Sequence, residues 1–167
     1  MGDGPPALAI ALDRRKNTLL DPPLAPQAPL LDPAALRFIL LDGLVKGGIG
    51  LLLLLILPRL GATTAATATA VFVYEGVAKL LSMFPARRLF GGLNPNRWVA
   101  AATVVSVALQ LSCIVFAPVR EMLGLVELPA SLLLSVSAAL LLTFALGEVI
   151  LRGLRGAAAR HVLAFSR

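Results

Sequence analysis

The sequence predicts an all-α membrane protein: four transmembrane helices in two hairpins, preceded by a short half-helix and a proline-rich loop. Three observations predict it. Residues 34–57, 62–84, 98–117 and 130–151 are long apolar stretches, each near the ~20 residues that a helix needs to cross a bilayer. The stretches are continuous, whereas a soluble helix or strand alternates apolar and polar positions. The composition agrees, at 58% hydrophobic and 14% charged with a mean hydropathy of +0.88. In lipid a helix satisfies its own backbone hydrogen bonds, so apolar runs of this kind read as spans. The polar stretches between them are too short to bury a separate core.

Residues 1–12 hold an apolar run after Asp3, Pro5 and Pro6. Asp3 suits a helix N-cap and proline is tolerated in a first turn, so this is a half-helix too short to span alone. It is not a signal peptide, because its basic cluster follows the apolar run instead of preceding it. Residues 13–33 are a cytoplasmic loop in which Pro22, Pro23, Pro26, Pro29 and Pro33 favour extended backbone. Span one carries Asp42, Lys46 and a Gly43/Gly47 pair, a spacing that lets another helix approach closely. It is predicted to stop at Pro58, with a very short turn to Gly61 closing a tight hairpin with span two. Span two opens with an Ala/Thr-rich stretch and carries Tyr74, Glu75 and Lys79. Phe84 and Pro85 are predicted to end it, and residues 85–97 to form a basic loop. Span three opens at Trp98, a residue suited to the membrane–water boundary, and ends at Pro118. Span four, residues 130–151, carries Glu148. Residues 152–167 form a basic cytoplasmic tail, in which the spacing of Leu154, Ala158, Val162 and Phe165 is consistent with a short helix lying in the interface.

The net charge is +6, and its distribution decides what it means. Arg14, Arg15, Lys16 and Arg37 precede or open span one. Arg87, Arg88 and Arg97 lie between spans two and three, and Arg152, Arg155, Arg160 and Arg167 follow span four. The other two junctions carry only Arg59 and Arg120. Such asymmetry predicts both termini and the span two–three loop on the cytoplasmic side. It also offers a surface for membrane lipid headgroups. Nucleic acid is not an expected partner, because the basic residues lack interleaved aromatics on a folded platform. The single cysteine, Cys113, has no zinc or redox spacing around it. Without a targeting segment, a bacterial plasma membrane is the expected location.

Ionisable residues inside a span are costly and are functional candidates for that reason. Asp42 and Lys46 are four apart, acid first, and share a helix face on which they can neutralise each other. Glu75 and Lys79 repeat the spacing nearer mid-membrane, where the glutamate is as much an ion-pathway candidate as a structural partner. Glu148 sits near the cytoplasmic end of span four and suits a cap or a lipid-edge contact. His161 has no triad around it, so hydrolytic chemistry is not indicated.

Together, Asp3-Gly4-Pro5-Pro6-Ala7-Leu8, the half-helix, the proline-rich loop and the two hairpins resemble the C-terminal membrane region of P-type cation-transporting ATPases, from the latter half of the sixth membrane helix through the tenth. The resemblance implies that Asp3 takes the place of the cation-coordinating aspartate in the unwound sixth helix. Val71-Phe72-Val73-Tyr74-Glu75 is similar to the eighth helix, where some calcium pumps place an ion-site glutamate, so Glu75 would take that role. Gly43 and Gly47 match the place where the seventh helix packs on the fifth. Lys79 departs from a metal site, since its ammonium would stand where a cation otherwise screens Glu75. The partners implied are the remaining domains of such a pump, in the same or a separate chain. These residues hold no Asp-Lys-Thr-Gly-Thr phosphorylation motif, nucleotide-binding domain or Thr-Gly-Glu actuator motif, so the chain alone is not expected to hydrolyse ATP. It has no cofactor of its own, and a transported metal cation is its expected ligand. The alternative reading is a free-standing four-span protein, an accessory factor or small channel, that self-associates through Gly43 and Gly47.

Overall fold

The computed structural model describes residues 33–89 and 97–165, the stretch from 155 onward as backbone. Asp3, the half-helix and nearly all of the proline-rich loop lie outside the described residues. Four helices are long and apolar enough to cross a membrane, and the described residues contain no strand.

Helix α1 spans Pro33–Arg59. Proline suits its first position, where an N–H has no intrahelical partner. The helix continues one residue past Pro58, so this proline lies inside the last turn instead of ending the span. What ends it is Gly61, at φ 90°. There the Ala62 N–H reaches the Leu57 carbonyl at 3.0 Å and the Gly61 N–H reaches the Pro58 carbonyl at 3.1 Å. This crossed pair satisfies carbonyls left open at a helix end, and it needs a residue that tolerates positive φ. Thr63 then caps α2, Thr64–Leu81, by accepting from the Ala66 N–H at 3.2 Å. The tight hairpin expected between spans one and two is present.

At Ser82 the chain breaks step and continues as α3, Met83–Leu89. The basic loop expected from Pro85 onward therefore begins as helix. Pro85 falls within the first turn of α3, where its missing N–H costs nothing. Helix α4 runs Arg97–Val115, opening beside the exposed Trp98. A bend at Phe116 leads into α5, Ala117–Met122, which closes on a second positive-φ glycine, Gly124 at 65°. Helix α6 runs Ala130–Phe165, 36 residues. At a rise of about 1.5 Å per residue it is longer than the ~30 Å of a bilayer core. Span four and the tail are thus one continuous helix. The Ala157–Ala159 run favours helix strongly enough to carry it past Gly153 and Gly156.

Helices α1, α2 and α6 pack mutually, and α4 leans on α2. In its apolar window α2 is 44% buried, against 17–22% for the other spans, so it is the central helix. Its small residues Ala66, Ala70 and Ala78 admit Ile49, Leu53 and Leu57 of α1, Ile114 of α4, and Leu132 and Val136 of α6. Leu44, Leu134 and Leu141 stand exposed on the outer faces, as expected of lipid-facing positions. The loop between α5 and α6 is tied down by polar bonds. Arg120 donates to the Ile114 carbonyl at 3.1 Å and pairs with Glu127 at 2.7 Å, while the Val126 N–H donates to Thr69 Oγ1 at 3.1 Å.

Candidate functional site in the membrane

The intramembrane polar residues gather where α1, α2 and α6 meet. Asp42 is buried, and its carboxylate pairs with Lys46 Nζ at 2.6 Å along one face of α1. Gly147 of α6 faces this carboxylate with space left over, since a methyl group there would stand 3.6 Å from Asp42 Oδ1. One turn along, the fully buried Tyr74 of α2 bridges all three helices. Its hydroxyl is 3.2 Å from the Lys46 carbonyl of α1 and 2.8 Å from Thr143 Oγ1 of α6. The Thr143 hydroxyl also lies 2.8 Å from the Ala139 carbonyl. Each hydroxyl has one proton. Either Thr143 donates to Tyr74 and Tyr74 to Lys46, or Tyr74 donates to Thr143 and Thr143 to Ala139.

Glu75 and Lys79 point elsewhere. On α2 the residues exposed after Thr64 are Ala65, Ala68, Phe72, Glu75 and Lys79. They recur at alternating spacings of three and four, which is a single narrow stripe on an otherwise covered helix. From that stripe the Glu75 carboxylate reaches back to α1, where its Oε1 occupies the space that a side chain on Gly50 would fill. Gly43 and Gly47 have nothing within 4 Å of the position where a methyl group would stand. Gly43, Gly47 and Gly50 share one side of α1, so the two open glycines lead into the one that seats Glu75. A groove of about 370 Å³ lies between α1 and the α2–α3 junction, with Phe38, Asp42, Gly43, Lys46, Ser82 and Met83 along it.

Several contacts were not visible from sequence spacing. Glu148 of α6 pairs with Arg88 of α3, its two oxygens lying 2.9 and 3.0 Å from Arg88 Nη1. The expectation of a cap or lipid-edge contact for Glu148 is replaced by this tie between the end of α3 and the middle of α6. Gln110 of α4 packs against Gly76 of α2 and donates to the Phe72 carbonyl at 3.4 Å. Among the described residues, Gly50 and Gly76 are thus the glycines whose empty side is filled by a polar side chain. The only sequence signal pointing to either of them is the seven-residue step from Gly43 to Gly50.

Among the described residues, no three histidine, cysteine or acidic groups converge in a way that would hold a metal ion. No curated protein and no solved structure matches the chain. The family described as "Cation transporting ATPase, C-terminus" matches residues 1–152. With its spans in place, this integral multi-pass membrane chain belongs to that family, as the C-terminal membrane region of a P-type cation-transporting ATPase.

Proposed function

We propose that the chain scaffolds the transport core of a P-type cation pump and lends it carboxylates, Glu75 from α2 and Asp3 from the half-helix. The observation that carries this reading is the uncovered face shared by α1 and α2. Glu75 stands on the single exposed stripe of the most buried helix, and open glycines at Gly43 and Gly47 lie beside it. A carboxylate in that position is costly against lipid, so it calls for a polar cavity or a partner helix. Open glycines on the neighbouring helix let such a partner come close. The pump helices that precede this region in the family are the partners that would fit. Asp3 lies within the residues that the family matches.

The pairing of Arg88 with Glu148 brings the basic end of the first hairpin to α6 just ahead of its basic stretch, which begins at Arg152. That supports a common cytoplasmic side for residues 85–97 and the tail, with Arg59 and Arg120 at the other side.

The test is the apparent cation affinity of the assembled pump. Glu75→Gln and Asp3→Asn should each lower it by roughly tenfold or more, judged against the 10–100-fold typical even of outer-shell partners, with the amount of assembled pump unchanged. Unchanged affinity in both variants would remove the cation-site role. The open glycines also serve a second reading, self-association of this chain through Gly43 and Gly47. Stable homo-oligomers with no larger partner would favour it.

A further inference from the structure

Two consecutive residues of α2 land on one turn of α1. The Tyr74 hydroxyl lies 3.2 Å from the Lys46 carbonyl, and the Glu75 carboxylate occupies the empty side of Gly50. In an α-helix that carbonyl and the N–H of Gly50 close the same turn. Tyr74 is fully buried and held from a third direction by Thr143 at 2.8 Å. Its ring and hydroxyl therefore fix the rotation of α2 about its own axis. Glu75 follows it in sequence, so that rotation sets where Glu75 leaves the helix. A glutamate is long and rotamer-rich, and from an exposed stripe it would sample many positions. The absence of a side chain at Gly50 lets the carboxylate settle against the backbone of α1 instead.

We propose that Gly50 and Tyr74 are positioning residues for Glu75: Tyr74 sets the rotation of α2, and Gly50 provides the seat that holds the carboxylate in one place before a cation arrives. This deepens the cation-site reading of Glu75 and rests on it. Holding a ligand in place in advance is what outer-shell contacts do in metal sites. A similar arrangement sets Gln110 against Gly76. Only at Gly50 does the seated group also belong to the uncovered face.

Gly50→Ala places a methyl group where Glu75 Oε1 now lies. Gly48→Ala is its control, because it raises helix propensity equally and meets nothing within 4 Å. Tyr74→Phe removes only the hydroxyl and keeps the buried ring. The first readout is the rate at which a hydrophobic carbodiimide modifies Glu75 in the full chain, followed by peptide mass. The rate should change severalfold in Gly50→Ala and Tyr74→Phe and stay at the wild-type value in Gly48→Ala.

The second readout is ATP hydrolysis by the complete pump, titrated separately with Ca²⁺, Na⁺ and K⁺. Gly50→Ala should lower the apparent affinity for the activating cation by roughly tenfold. Tyr74→Phe should lower it by about fivefold, as loss of one buried hydrogen bond does, with maximal turnover kept. A purely structural role would reduce the amount of assembled pump and leave the affinity of what assembles unchanged. If Glu75→Gln lowers affinity while Gly50→Ala and Tyr74→Phe match Gly48→Ala, the positioning proposal is overturned and the cation-site reading stands. If Glu75→Gln leaves affinity unchanged, the cation-site reading falls and the proposal falls with it.

Discussion

At the scale of single residues, the polar contacts matter because each is a group that lipid cannot solvate. Thr143 joins α6 to Tyr74, so Thr143→Val should destabilise the bundle by about 1 kcal/mol, near the average for hydrogen bonds between membrane helices. Reversible unfolding in mixed micelles checks this. The Arg88–Glu148 pair should show a coupling of about 1 kcal/mol or less in a double-mutant cycle with Arg88→Ala and Glu148→Ala, because Arg88 is partly solvated. Asp42–Lys46 was legible in the sequence, since a four-residue step on a helix makes two charges neighbours. Arg88–Glu148 was not, being 60 residues apart and joined only by the way α3 and α6 meet. The glycine seats were also hidden. A glycine in an apolar run reads as a packing site, and spacing alone does not say whether it receives a helix, as expected of Gly43 and Gly47, or one polar side chain, as Gly50 and Gly76 do.

At the scale of helices, α2 does the most to organise the molecule, and its fit to α4 is the place to test it. A side chain at Gly76 would strike Gln110. Gly76→Val should therefore cost about 1–3 kcal/mol by overpacking and loosen α4 from α2, read as slower disulfide formation between cysteines placed at Phe72 and Leu109. The spans themselves were legible because continuous apolar runs have few alternatives in lipid. Their ends were less so. Pro58 and Pro85 were read as stops, yet proline is excluded only where its N–H and ring meet a preceding helical turn. Pro85 lies in the first turn of α3, which escapes that limit. Gly61 is what closes α1, through a positive φ that composition does not reveal. The tail was expected as a separate interfacial helix, but nothing between Leu151 and Ala157 breaks the backbone of α6.

At the scale of the whole molecule, the distribution of basic residues predicts an orientation. In a Cys113→Ser background, a membrane-impermeant thiol reagent applied to intact cells should label Glu121→Cys and spare Arg152→Cys, the order that positive-inside topology demands. The reverse pattern would invert the chain. The uncovered face of α1 and α2 raises the larger question of what completes it. Four spans were legible, and so was the family, because the order of half-helix, proline-rich loop and two hairpins survives where individual letters do not. A partner helix was not, because open glycines and a lipid-level carboxylate serve a foreign helix and a second copy equally well. The most direct measurement is a photo-crosslinker placed at Gly47, activated in native membranes, with the joined peptides identified by mass. The expected product joins Gly47 to a membrane helix of the polypeptide that carries an Asp-Lys-Thr-Gly-Thr phosphorylation site. A product joining Gly47 to α1 of a second copy of this chain would contradict the role as part of a pump's transport core.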